Sequence, residues 1–228
     1  FADKNVGTSK NVTVSGYTIS GTDAANYSLV QPTGVTADIT ALSLAVTGAT
    51  AANKTYDAQL GATISGGAIS VISGDVVTLD ISGRAGVFGD KNVGTAKSVT
   101  VSGYALTGTD AANYSLVQPV GLTADITALS LAVTGATAAN KTYDQLLTAT
   151  ISGGTIAPIA GDTVSLVTSG VAGVFGDKNV GTAKSVTVTG YAIAGADAAN
   201  YSLVQPTGVS ADITQLTPVS YTHLRAHE

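Results

Sequence analysis

The chain of 228 residues has no Cys, no Met and no Trp. Charged residues are 11% of it and aromatics 5%. Its only Glu is Glu228, and its two His are His223 and His227. Each absence excludes something. Without Cys there is no disulfide framework, Cys-ligated zinc site or thiol nucleophile. With Glu, Gln, Met and Arg scarce while Val, Thr, Ile and Tyr abound, a mostly helical protein is not expected. A net charge of −5 with ten basic residues spread thinly excludes a polyanion-binding surface, so nucleic acid is not an expected partner. No apolar run reaches the roughly 18–20 residues of a membrane span, and no membrane insertion by this segment is expected. The chain opens in mid-pattern at Phe1-Ala-Asp-Lys-Asn-Val-Gly, which reads as a fragment.

What is abundant is small and polar: 27 Gly, 20 Ser and 33 Thr, beside 44% hydrophobic residues. That hydrophobic fraction suffices for packed cores, so low charge does not imply disorder.

A repeat organises the chain. Phe-x-Asp-Lys-Asn-Val-Gly stands at Phe1, Phe88 and Phe175, and Asp-Ala-Ala-Asn-Tyr-Ser-Leu-Val-Gln-Pro at 23–32, 110–119 and 197–206. The spacing is 87 residues throughout, and 41–127 matches 128–214 at 68 of 87 positions. The expected domains are a truncated repeat (1–40), two complete repeats (41–127 and 128–214) and a non-repeat tail (215–228). Such a period exceeds the ~20–50 residues of solenoid coils and propeller blades. It is long enough for each unit to bury its own core.

Within a repeat, apolar residues alternate with hydroxyls: Val99 and Val101 between Ser98, Thr100 and Ser102; Leu42, Leu44 and Val46 around Ser43 and Ala45; Val77, Leu79 and Ile81 around Thr78 and Asp80. Period two means half-buried strands. Turn clusters such as Ser73-Gly74-Asp75 and Gly89-Asp90-Lys91-Asn92 separate them. The expected fold class is all-β: tandem immunoglobulin-like antiparallel β-sandwich modules, arranged as beads on a string. Asp110-Ala-Ala-Asn-Tyr114-Ser-Leu116 has the spacing of a tyrosine corner, in which the Tyr hydroxyl bonds back to backbone and the apolar residue packs the core. Tyr27 with Leu29 and Tyr201 with Leu203 are its equivalents.

Asn53-Lys54-Thr55-Tyr56-Asp57, repeated at Asn140–Asp144, resembles the Lys-Thr-Tyr-Asp-Gly signature of YDG domains, with Ala58 and Gln145 where the family usually has Gly. Phe88-Gly-Asp-Lys-Asn-Val-Gly, Ser98-Val-Thr-Val-Ser-Gly and Asp110-Ala-Ala-Asn-Tyr are similar to that family in the same order. The resemblance implies the YDG-domain repeats of large bacterial filamentous-haemagglutinin-like surface adhesins: a stalk or passenger segment, extracellular, at the cell surface. It implies surface molecules of a host or neighbouring cell, glycan or protein, as partners, together with neighbouring repeats of the same chain. It carries no catalytic residues. Zero Cys suits a chain threaded unfolded through an outer-membrane pore.

The residues point to no enzyme. Residues 1–214 hold no His for general acid–base work or a Ser/His/Asp triad. Lys97 and Ser98 are strand neighbours on opposite faces. Asp75, Asp90, Asp110 and Asp125, with Asp162, Asp177, Asp197 and Asp212, are weighed as calcium ligands, Asp90 with Asn92 in one loop and Asp125 near the repeat junction. They stand singly beside Gly or Asn and read as turn caps. Lys54, Lys91 and Lys97 are weighed for isopeptide crosslinks and read as solvated edge and turn lysines. The Gly stretches at 65–67 and 103–104 are turns, not phosphate cradles. No catalytic, cofactor or metal residue is assigned, and no cofactor is expected. His223, His227 and Glu228 lie in the tail, which resembles translated adapter sequence.

The expected function is structural and adhesive, with repetition supplying avidity. The differences between the complete repeats concentrate in 58–84 and 145–171. The alternative is a carbohydrate-binding module with Tyr56 as its aromatic platform. An ice-binding surface would want a flatter Thr array than this period provides.

Overall fold

A computed structural model describes residues 1–218. The expected all-β class holds: twenty-four strands and three 3-10 turns, with no α-helix among the described residues. The chain divides into two compact units. Unit 1 is Phe1–Asn53, Leu60–Gly89 and Ala96–Ala124; unit 2 is Lys54–Gln59, Asp90–Thr95 and the chain from Asp125 onward. Two short segments of the repeat 41–127 therefore belong to the compact unit built around 128–214.

Unit 2 shows the plan in full. Its five-stranded sheet runs Lys141–Thr142, Ser210–Thr214, Gly181–Thr189, Ala172–Phe175, Thr148–Ala149. The alternation read from sequence faces the core here: Val186 and Val188 are buried with Phe175, Tyr191, Val209, Ala211 and Ile213, while Thr187 and Thr189 are exposed. Smaller pairs complete the unit: Thr134–Ala138 with Ile151–Thr155 and Ser165–Val167 with Ala192–Ala194, both antiparallel.

The wholly antiparallel sandwich expected from sequence needs correction. Leu129–Ala132 pairs parallel with Tyr201–Val204, and Lys141–Thr142 pairs parallel with Ser210–Thr214. The five-stranded sheets are nearly closed and barrel-like rather than clearly layered. Period-two alternation fixes which face of a strand is buried and is silent on the direction of its neighbour.

Two local features steer the chain. Gly190 takes φ +88 between Gly181–Thr189 and Ala192–Ala194, and a Cβ there would lie 2.0 Å from the Gly170 carbonyl oxygen. Only Gly fits. At the other end of Gly181–Thr189 the register slips between Gly181 and Lys184. Ala183 occupies φ +48 in this bulge, and its N–H donates to Asp212 Oδ1 at 2.8 Å.

Unit 1 repeats the scheme. Leu42–Ala45 pairs parallel with Tyr114–Val117, and Ala85–Phe88 pairs antiparallel with both Gly61–Ala62 and Gly94–Ser102. Phe88, Val99, Val101, Tyr104 and Leu44 are buried. The antiparallel pair Gly7–Asn11 and Thr36–Ile39 has the same bulge, with Ser9 N–H donating to Asp38 Oδ1 at 2.8 Å.

Candidate functional site

The densest polar cluster centres on Asp162. Gly161, at φ +96, turns the chain so that the Asp162 carboxylate points inward, with its side chain 2% exposed. A buried carboxylate needs donors on both oxygens, and Asp162 has three. Lys91 Nζ donates to Oδ1 at 2.8 Å; the hydroxyls of Tyr201 and Tyr56 donate to Oδ2 at 2.6 and 2.8 Å. The two tyrosine rings meet edge to face, 5.6 Å between centroids at 73°. Lys91 also lies 3.2 Å from Asp197 Oδ1 and 5.8 Å from the Tyr56 ring centroid. Beside it Asn200, 3% exposed, accepts from Val93 N–H at 2.9 Å and donates to Asn92 Oδ1 at 3.2 Å.

The electrostatics follow from these bonds. The Lys91 ammonium, and after it the Tyr201 hydroxyl, hold Asp162 below the usual carboxylate range. Hydrogen bonding to Asp162 raises Lys91. Burial, then the hydrogen bond to Asp162, pushes Tyr201 up to about 12 and raises Tyr56. All four groups keep their ordinary neutral-pH protonation more firmly than free side chains. That is the opposite of the tuning a general acid or base requires.

Unit 1 holds the same cluster displaced by 87 positions. Lys4 Nζ pairs with Asp75 and lies 2.9 Å from Asp110 Oδ1; Tyr114 donates to Asp75 at 2.6 Å. Val6 N–H donates to Asn113 Oδ1 at 2.8 Å, and Asn113 donates to Asn5 at 3.2 Å.

The family signatures now read physically. In Lys141-Thr-Tyr-Asp144, the lysine ammonium donates to Asp144 Oδ1 and to the Leu146 carbonyl, both at 2.8 Å, while Asp144 accepts Leu146 N–H at 2.9 Å. Lys54, Asp57 and Gln59 do the same. Ala58 and Gln145 have φ +62 and +67, the left-handed region in which Gly is at ease. In Asp-Lys-Asn-Val-Gly the Asp closes a turn on the Asn N–H at 2.8 Å, as Asp90 and Asp177 show. The next residue, Lys91 in unit 2 and Lys4 in unit 1, reaches the aspartate cluster.

The sequence candidates distribute as follows. Asp162, Asp197 and Lys91 come together, as do Asp75, Asp110 and Lys4. Asp110 and Asp197 also accept the N–H of Val76 and Thr163, at 2.8 and 2.9 Å. Asp90 and Asp177 close turns and Asp212 anchors a bulge. Among the described residues no three His, Cys, Asp or Glu side chains gather as metal ligands. Lys54 is paired to Asp57 within its own loop, and Lys184, the equivalent of Lys97, to Asp177 at 2.6 Å. Lys91 is not a solvated turn lysine: it enters an ionic cluster.

Tyr56, the expected aromatic platform, is 2% exposed and offers no face to a sugar. Tyr114 and Tyr201 bond back to backbone, accepting Ile72 and Ile159 N–H at 3.1 and 2.9 Å, but from a loop 42 residues upstream rather than a local corner. His223, His227 and Glu228 lie outside the described residues.

Sequence reading missed Gln118 and Gln205. Gln205 accepts Tyr191 N–H at 3.1 Å and donates to the Tyr191 carbonyl at 2.8 Å, imitating a strand rung; Gln118 does so with Tyr104. The recurrence of Gln before Pro in each repeat was the available signal.

The YDG-domain family profile matches residues 1–35, 40–121 and 127–208. The chain belongs to the YDG domain family. No curated protein and no solved structure matches it. In this chain the polar side chains of these motifs close loops and join segments.

Proposed function

We propose that this YDG chain is a non-catalytic structural and adhesive segment of a secreted bacterial surface protein, working at the cell surface as a stalk or passenger of tandem immunoglobulin-like modules. One observation carries the reading. The Asp-Lys-Asn motif of one repeat is bonded to the Asp-Asp-Asn-Tyr cluster of the following repeat's sequence, at Lys4 with Asp75 and again at Lys91 with Asp162. The chain's best-placed charges thus serve to fasten consecutive repeats.

Other features support it. The tyrosines at strand starts, Tyr114 and Tyr201, tie their strands to distant loop backbone at Ile72 and Ile159. A cleft of ≈ 540 Å³ is lined by Ile19, Asp23, Tyr27 and Leu29 and shares no residue with the Asp75 cluster. Its unit 2 equivalents Tyr201 and Leu203 lie in a strand paired with Leu129–Ala132.

Antiserum against the chain should label intact cells that make it, and the purified chain should bind saturably to a surface glycan or protein of target cells. Labelling only after lysis overturns the surface assignment; absence of saturable binding leaves the stalk role and removes the adhesive one.

A further inference from the structure

In each complete repeat an early strand lies beside a late one and runs the same way. Leu129–Ala132 opens the repeat 128–214 and pairs with Tyr201–Val204, rung for rung from Leu129 with Tyr201 to Ala132 with Val204. Val133 N–H adds a bond to the Val204 carbonyl at 3.0 Å. A second parallel pair joins Lys141–Thr142 to the last strand, Ser210–Thr214, and Tyr143 N–H extends it to the Thr214 carbonyl at 2.9 Å. The repeat 41–127 has both pairs: Leu42–Ala45 with Tyr114–Val117, then Lys54 with Ile126 and Thr55 with Thr127. Val46 N–H extends the first and Tyr56 N–H the second, at 3.1 and 2.8 Å. Both strands of every pair belong to one complete repeat, so the arrangement comes from the repeat itself. The late strand of the longer pair is also pinned at both ends. The Tyr201 hydroxyl donates to Asp162 at 2.6 Å, and Gln205 clasps the Tyr191 backbone. Tyr114 and Gln118 do the same in the other repeat.

We propose that each complete repeat is a tension-bearing unit, with its parallel pairs as the clamp. Direction decides how a ladder meets force. Pulling a chain by its ends draws the early strand toward its own N-terminus and the late strand toward its own C-terminus. In an antiparallel pair those two ends are neighbours, and the rungs open one after another. In a parallel pair they lie at opposite ends of the ladder. The pull then runs along the strands and loads the evenly spaced rungs together. Sliding must also drag apolar side chains out of the core, since Leu131 and Val133 are buried, as are Leu44 and Val46. Resistance to force is set by the unfolding rate rather than by equilibrium stability, so a repeat of ordinary stability can hold where a zipper would open. Parallel pairing is slightly less stable per residue, and tension is the condition under which it gains. This deepens the stalk reading above, and the two fail separately: a surface chain can be weak under load, and a strong one can work elsewhere.

The test is single-molecule pulling of the full chain from two alternative pairs of handles. The chain has no Cys, so introduced thiols are the only attachment points. Ala128→Cys with Gln215→Cys pulls the repeat 128–214 from opposite ends of its clamp. Ala132→Cys with Thr207→Cys pulls the two paired strands from the same end. Ala132, Thr207 and Gln215 are exposed and Ala128 is half-buried, so no handle enters the core. Each opposite-end rupture should free up to about 310 Å of chain, the extended length of one 87-residue period. Its force at a given loading rate should exceed that of the same-end pull at least about twofold, because the rungs share the load. The slope of rupture force against the logarithm of loading rate should also be steeper for the opposite-end pull, since sliding breaks the rungs within a shorter displacement. That slope reports the geometry of rupture and is independent of how stable each variant is. A force ratio below about twofold, or equal slopes, overturns the proposal.

Discussion

Lys91 and Asp162 are 71 residues apart in sequence and 2.8 Å apart in the fold. The aspartate is sealed from solvent while the lysine side chain keeps 35% of its exposure. The asymmetry predicts unequal consequences of removing each partner. Asp162→Ala strips the acceptor from Lys91, Tyr56 and Tyr201 at once and strands two hydroxyls in a buried place. Lys91→Ala leaves a carboxylate that still has both tyrosines. Asp162→Ala should lower the melting temperature by several degrees, about 5 °C or more, and by clearly more than Lys91→Ala or Asp197→Ala. Calorimetry of the four chains decides it; equal shifts would mean that the tyrosine hydroxyls contribute nothing.

A second prediction concerns the position after Tyr-Asp. Gln145 is held at φ +67, where a side chain costs roughly 1–2 kcal/mol. Gly relieves that strain but loses more chain entropy on folding, roughly 0.5–1 kcal/mol. The difference leaves Gln145→Gly stabilising by up to about 1 kcal/mol, a rise of about 4–8 °C for a unit of this size. Ala58→Gly should behave alike. A fall in either melting temperature would show that these side chains make contacts outweighing the backbone strain.

Glycine matters in the opposite sense at Gly154. Its φ is +98, and a Cβ there would stand 2.7 Å from both Cε1 and the hydroxyl oxygen of Tyr191. The Tyr191 hydroxyl donates to the Gly153 carbonyl at 2.8 Å, so the ring cannot swing away without losing that bond. Gly154→Ala should destabilise by more than about 1 kcal/mol through combined strain and overpacking. Tyr191→Phe should cost about 0.5–1.5 kcal/mol, one hydrogen bond. Urea midpoints at unchanged m measure both. Gly154→Ala melting like the parent would contradict the close approach.

The strands and their buried faces were legible because alternation is a local property: Val186 and Val188 face the core, as Val99 and Val101 do. The strained position was legible too, since Ala58 and Gln145 stand where a glycine was missing from the signature. The cluster was not. In sequence Asp162 and Asp90 look alike, each after Gly in a polar turn. Asp90 bonds a backbone N–H two residues on, whereas Asp162 takes donors 39, 71 and 106 residues distant. Nothing local separates a turn-closing aspartate from one that gathers remote donors. The parallel pairing of Leu129 with Tyr201 is likewise a product of topology, invisible to period and propensity.

The cluster also fixes how stability depends on pH. Asp162 is held low by the Lys91 ammonium and then by Tyr201, and Asp75 by Lys4 and then by Tyr114. An unfolded chain takes up these protons from about pH 4 downward, whereas the folded chain resists until lower pH, so folding stability is intact above about pH 4 and falls as acid is added below it. The alkaline side has the reverse cause. Tyr201 keeps its proton up to about 12 because burial, then the hydrogen bond to Asp162, opposes ionisation. The unfolded phenol ionises near pH 10, so the unfolded chain binds fewer protons above that point and stability drops from about pH 10 to 12. Lys91, raised by Asp162, acts in the same direction. Melting temperature against pH should therefore be flat through neutrality and fall at both ends. Asp162→Asn should shallow both arms together, since it removes one titrating carboxylate and the charge that holds Tyr201 and Lys91 up. An alkaline arm unchanged in Asp162→Asn would place its origin outside this cluster.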